Sequence, residues 1–252
     1  MKRRLIVSLL ASVGAFGVSA NDVSTQIING TPATVADYTN FASLYVETDT
    51  QYSTRSFCGA TVINDYYVLT AAHCIVGNES LLPNVTVPVG LQDESTYIPG
   101  AYPRVVEYHF PSTYVDSEVA LWPDDIAILK LDNPIGTGDL YSMLNFSRDR
   151  DYDGNDVFTA VGHGKQVHNE APNANDPNLL EAPLLYVSTA VCTADQGSNI
   201  TEKQICFNGA NGPTYRNAIC SGDSGGPIYV SRSGGPQSQV GIASFGYTVC
   251  VV

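Results

Sequence analysis

Apolar residues in this chain fall in short runs rich in β-branched and aromatic side chains, separated by clusters of turn formers. Leu44-Tyr45-Val46 and Ala60-Thr61-Val62-Ile63 read as short strands, and Asn64-Asp65 as a turn. Tyr67-Val68-Leu69-Thr70 is a further strand that leads straight into Ala71-Ala72-His73, so the histidine sits just past a strand end, on a rigid support. Asn84 to Val89, Arg104 to Tyr108 and Val157 to Val161 are strand candidates. Ile126-Ala127-Ile128-Leu129-Lys130-Leu131 reads as a strand with a buried face. Ser112 to Pro123 reads as a surface loop, and His168 to Leu180 as a long polar loop rich in Pro and Asn. Asn133 to Tyr141 has Gly and Asp but no periodicity, and marks a boundary between two halves.

Composition agrees with that reading. A chain of 252 residues with 22 Gly and 14 Pro is turn-rich, and long enough for one large all-β domain or two small ones. Charged residues make up only 15%, yet the net charge is -13, which argues against nucleic acid or an anionic membrane as a partner. Six cysteines, an even number, fit an oxidising compartment. Lys2-Arg3-Arg4, the apolar stretch Leu5 to Val18 and the small residues Val18-Ser19-Ala20 form a signal peptide over residues 1–20. It is too short to span a bilayer comfortably, and no later stretch is apolar enough to do so. Asn21 to Gln26 is then a short polar propeptide, and the expected location is extracellular, or periplasmic in a bacterial host.

The densest chemistry lies in Gly222-Asp223-Ser224-Gly225-Gly226-Pro227. Ser224 offers a hydroxyl that becomes a nucleophile once a base removes its proton. The N–H groups of Gly222 and Ser224 are free to turn inward and hold an oxyanion. Asp223 carries a carboxylate that needs a cationic partner if buried. A glycine-rich turn with no chemistry is the plain alternative. It is weakened by a base and an acid elsewhere in the chain: His73 in Thr70-Ala71-Ala72-His73-Cys74, and an aspartate in Asp124-Asp125-Ile126-Ala127.

These motifs, in the order His, Asp, Ser, resemble the chymotrypsin/trypsin family of serine endopeptidases, from Ile27 to Cys250. The resemblance implies an all-β fold of two packed six-stranded antiparallel β-barrels, over residues 27–135 and 141–252, with the site in the cleft between them. The family's last strand and C-terminal helix are expected to be missing, because the sequence stops at Val252. The implied triad is His73, Asp125 and Ser224, with Asp125 chosen over Asp124 because it immediately precedes Ile126-Ala127. Asp124 is then a solvated neighbour. Cutting before Ile27 is implied to free an ammonium group that pairs with Asp223 and shapes the oxyanion hole of Gly222 and Ser224. Gln26 stands where the family usually has Arg or Lys, so the activating protease is unknown. The implied disulfides are Cys58–Cys74, Cys192–Cys206 and Cys220–Cys250. Val240 to Gly246 resembles the substrate-binding strand, so Ser244, Phe245 and Gly246 are expected to line the substrate pocket with Ala218 and Ile219. Ala218 offers no charge at the pocket base, which points to cleavage after apolar residues. Protein or peptide substrates, an activating protease and protein inhibitors are the implied partners. No cofactor or metal is implied. A catalytically impaired homologue acting as a binding protein remains the alternative.

Other chemistry in the sequence is weaker. Asp149-Arg150-Asp151-Tyr152-Asp153-Gly154 starts like a calcium loop, but its twelfth position is Ala160 where a Glu is needed. His109, His163 and His168 are isolated; His163 stands where the family usually has Trp. Asn78, Asn84, Asn145 and Asn199 begin N-x-Ser/Thr sequons, relevant in a host that glycosylates exported proteins.

Overall fold

The computed structural model describes residues 27, 30–136, 144, 152, 156–164, 177–197, 199–209, 219–232 and 237–246. Its strands in chain order are β1 (Thr31–Pro32), β2 (Phe41–Val46), β3 (Cys58–Asn64), β4 (Tyr67–Thr70), β5 (Val85–Thr86) and β6 (Val105–His109). They continue with β7 (Ala127–Leu131), β8 (Asp156–Gly162), β9 (Leu180–Val187), β10 (Cys206–Gly209), β11 (Pro227–Arg232) and β12 (Ser238–Ile242). A single α-helix is found among the described residues, α1 (Thr189–Gln196). The fold is all-β.

The strands form two antiparallel six-stranded sheets. The first runs β5-β2-β3-β4-β7-β6, and a bridge between Thr86 and Arg104 joins its two ends, closing it into a barrel. Alternation fills the interior: Ala42, Leu44 and Val46 of β2 meet Cys58, Ala60 and Val62 of β3 and Ala127, Leu129 and Leu131 of β7. β2 is buried along its whole length because its outer face is covered too. Phe41 packs with Tyr38, Val161 and Tyr229, and Tyr45 with Leu91 and Tyr97. The second sheet runs β1-β9-β8-β11-β12, with β10 on β9, around Phe158, Ala160, Leu184, Ile228 and Val230. Phe41, from the first sheet, and Val161 and Tyr229, from the second, share one cluster, so the two sheets pack together through apolar contact.

Several elements differ from the sequence reading. Thr31–Pro32, assigned to the N-terminal half, pairs with β9 in the second sheet. The strand expected over Asn84 to Val89 shortens to Val85–Thr86, between Pro83 and Pro88; a proline has no N–H to give a ladder. β9 starts at Leu180, where a loop was expected to end, and tolerates Pro183. Helix α1 begins at Thr189, capped by Ser188, whose hydroxyl accepts from Val191 N–H. The strand expected over Val240 to Gly246 leaves its ladder at Ile242, so Ser244, Phe245 and Gly246 lie beyond the sheet. Cys58–Cys74 and Cys192–Cys206 are bonded as expected. Cys220 is also disulfide-bonded; its expected partner, Cys250, lies outside the described residues.

Candidate active site

Strand register brings His73 and Asp125 together. β4 pairs with β7 so that Thr70 faces Ala127, which places the turn after Thr70 beside the residue before Ile126. His73 lies in a 3-10 turn over Ala72–Cys74, anchored by the Cys58–Cys74 bond. Its Nδ1 is 2.7 Å from Asp125 Oδ2, and its backbone N–H donates to Asp125 Oδ1 at 2.9 Å. The hydroxyl of Ser244 also donates to Asp125 Oδ2. The Asp125 side chain is only 3% exposed. Burial pushes its carboxyl pKa up, but donation from His73 and Ser244 outweighs burial and leaves it below the ordinary value. An ionised Asp125 fixes the proton on Nδ1 and leaves Nε2 as an acceptor.

Asp124 is not simply a solvated neighbour. Its carboxylate takes Lys203 Nζ at 2.6 Å and the Thr113 hydroxyl at 2.5 Å. Gln204 donates to Leu121 O and Asn199 to Val119 O, so residues 199–204 hold the loop that delivers Asp125. Leu121, Trp122 and Asp124 all have positive φ there, a backbone these contacts must sustain.

The serine loop docks on the first barrel at glycines. Gly59 N–H donates to Ser224 O at 2.7 Å, and a Cβ on Gly59 would come within 2.7 Å of Gly226 Cα. Gly222 has φ 104° and Gly225 φ 78°, the left-handed region that glycine enters without strain. Among the described residues, the N–H groups of Gly222 and Ser224 donate to nothing, while Gly225 and Gly226 N–H bond Ala243 O and Asp223 O. Ser224 and His73 line one cavity of about 460 Å³, with Gly222, Ser221, Phe57 and Arg55. Ser224 Oγ makes no hydrogen bond to His73 in this structure; Cys74 Sγ lies 3.9 Å from Nε2. Reacting groups often close this gap only around substrate.

Asp223 is buried and accepts backbone N–H bonds from Gly164 and Cys220, both at 2.9 Å. Burial dominates over those bonds and pushes its pKa up to about 7. Ile27 is fully buried against Leu180 and Ala182. Because Ile27 follows Gln26, its nitrogen is an amide, and the expected ammonium–Asp223 pair is not made in the uncut chain.

Of the expected pocket residues, Ala218 lies outside the described residues. Ile219 packs against the core of the second sheet, half-buried. Phe245 meets the Trp122 ring at 5.6 Å, Gly246 is exposed, and Ser244 is committed to Asp125. His163 is buried against Phe41, and burial holds its pKa below the ordinary value. Ligand atoms of Cys58, His73 and Cys74 cluster within 4.8 Å, but both sulfurs are in a disulfide and offer no thiolate. The Asp149–Gly154 loop lies outside the described residues except for Tyr152. Sequence reading missed the second support of Asp125 by Ser244 and the buried Glu94, which accepts from Tyr45 and Ser56. Both depend on chain segments far apart, with no local signal.

A family model described as Trypsin matches residues 27–251. Spermosin of Halocynthia roretzi is 32% identical over 199 residues, covering 77% of this chain and 48% of that protein. Thrombin-like enzyme calobin-1 of Gloydius ussuriensis is 28% identical over 253 residues, covering 98% and 87%. Coagulation factor IX of Oryctolagus cuniculus is 28% identical over 201 residues, covering 76% and 67%. The chain thus spans about half of spermosin and most of calobin-1.

Proposed function

This chain belongs to the trypsin family, and on that premise we propose that it is a secreted serine endopeptidase made as a zymogen. The observation that carries the reading is the His73–Asp125 pair at 2.7 Å, sharing a cavity with Ser224 and with the unused N–H groups of Gly222 and Ser224. Ser224 Oγ attacks the peptide carbonyl carbon while His73 Nε2 takes its proton. The carbonyl oxygen becomes an oxyanion held by the Gly222 and Ser224 N–H groups. His73 then gives its proton to the leaving amine, the C–N bond breaks, and an acyl-Ser224 ester remains. Water, deprotonated by His73, hydrolyses the ester and regenerates Ser224. Asp125 stays ionised and stabilises the imidazolium formed twice per cycle. These roles come from the family's general mechanism, carried to the matching residues.

Residues 1–20 are the export leader and 21–26 the propeptide, with the peptidase domain from Ile27 onward. Export is supported by the disulfides Cys58–Cys74 and Cys192–Cys206. No helix among the described residues is long and apolar enough to cross a membrane. Cleavage before Ile27 by another protease would turn its nitrogen into an ammonium group for Asp223. Protein or peptide chains are the substrates, with an apolar residue before the cut bond given the neutral Ala218. Peptide hydrolysis by protein cut before Ile27 tests the reading. Ser224→Ala should lower turnover by roughly a million-fold; a variant as active as the parent would refute the mechanism.

A further inference from the structure

Arg55 stands apart from the other basic side chains. Among the described residues, Arg104 pairs with Glu47, Lys130 with Glu107, Lys203 with Asp124 and Arg232 with Asp156, whereas Arg55 has no carboxylate partner. Yet Arg55 is only 8% exposed, and its Nε and Nη1 are buried without a hydrogen-bond acceptor. The buried carboxylate that holds the neighbouring Ser56, Glu94, accepts through Oε1 from Tyr45 Oη, Ser56 N and Ser56 Oγ. A guanidinium cannot shed its proton to escape the cost of burial. Arg55 lines the same cavity as Ser224, His73 and Gly222.

The place of that cavity assigns it to one side of the cut bond. Its walls come from residues 46–58, 73–85 and 221–224, and Ser244, Phe245 and Gly246 are not among them. Those three follow β12, the strand whose resemblance places the acyl half of a peptide along it. The cavity therefore lies on the other side of Ser224, where the leaving half runs.

We infer that Arg55 binds the side-chain carboxylate of an Asp or Glu on the leaving half of the substrate, and so sets a preference for acidic residues just after the cut bond. The inference rests on Ser224 being the nucleophile. A carboxylate matches the planar guanidinium fork with two parallel N–H···O bonds. Among the described residues the guanidinium has no carboxylate counter-ion, and the substrate carboxylate would supply one from the cavity side. The rest of the molecule is strongly acidic, so long-range attraction cannot produce this preference. It must come from the local contact.

The test uses C-terminally amidated peptides with Gln, Glu or Lys at each of the first three positions after the cut bond. Binding is measured by fluorescence anisotropy on the Ser224→Ala protein cut before Ile27, and cleavage on the parent. At one position Glu should exceed Gln by about ten- to a hundredfold, as for a charge-assisted hydrogen bond, and Lys should be worst. Arg55→Met should erase the Glu–Gln difference, and Arg55→Lys should shrink it without reversing it. Equal binding of Glu and Gln peptides by the parent background, or no binding of either, overturns the inference. A gain only from a free C-terminal carboxylate, in peptides ending after the same position, overturns the side-chain assignment. Because binding needs no hydrolysis, a preference for Glu that Arg55→Met erases, without any turnover, would leave Arg55 as a carboxylate-binding residue but overturn both the endopeptidase reading and the assignment to a position after a cut bond.

Discussion

Asp223 should make the uncut chain lose stability as pH rises, and cleavage before Ile27 should remove that loss. An unfolded Asp titrates near ~3.9, whereas buried Asp223 titrates at about 7. Between these values the folded chain holds a proton that the unfolded chain has released. Stability from this group is therefore complete below about pH 4 and is lost as pH rises through about 7. A gap of roughly three pKa units corresponds to about 4 kcal/mol, with a slope near 1.4 kcal/mol per pH unit between the two values. Asp125, Glu107 and Asp124, whose pKa values are lowered, act in the opposite direction, and mostly at lower pH. Comparison with Asp223→Asn cancels their contribution. The assay is urea unfolding from pH 4 to 8, in a Ser224→Ala background that prevents self-digestion. The parent's advantage over Asp223→Asn should shrink by several kcal/mol over that range in the uncut chain. After cleavage, the Ile27 ammonium keeps Asp223 ionised, and the advantage should hold or grow across that whole range. Parallel pH curves for parent and Asp223→Asn in the uncut chain would refute the account of Asp223 as a buried, unpaired carboxyl.

Asp125→Asn should fold and keep Ser224 in place, but lower kcat by about 10⁴ because the wrong imidazole tautomer is favoured; steady-state kinetics on the cut protein would show a smaller loss if Asp125 did not orient His73. Gly59→Ala should lower thermal stability by roughly 1–3 kcal/mol, since its Cβ would press on Gly226 Cα, 2.7 Å away. It should also reduce turnover by shifting the serine loop, and an unchanged melting temperature with full activity would show that the two sheets do not meet so closely there.

Much of the site was legible because its chemistry is written in short contiguous motifs. His73, Asp125 and Ser224 each sit in a local pattern, and the strands before His73 and after Asp125 have apolar runs whose ends the structure keeps nearly unchanged. Contacts between distant segments were not legible. Nothing near Ser244 announces that its hydroxyl reaches Asp125, and nothing near Lys203 announces Asp124. The end of β12 was hidden because Ser244 and Phe245 continue a strand-like composition after the last backbone bonds, those of Ala243 with Gly225 and Gly226. No strand was read over Leu180–Val187, where Pro183 is a strand breaker by composition; pairing with β8 overrides that signal. Arg55 and Glu94 look like surface charges in the sequence, and only the fold buries them.

The central claim is that Ser224 is a nucleophile activated by His73, and covalent labelling tests it most directly. Protein cut before Ile27 is treated with a fluorophosphonate, and the modified peptide is located by mass spectrometry. The account predicts one adduct per chain, on Ser224, formed quickly in the parent and lost or greatly slowed in His73→Ala. An intact, cut protein that takes up no label, or takes it up at another residue, would contradict it.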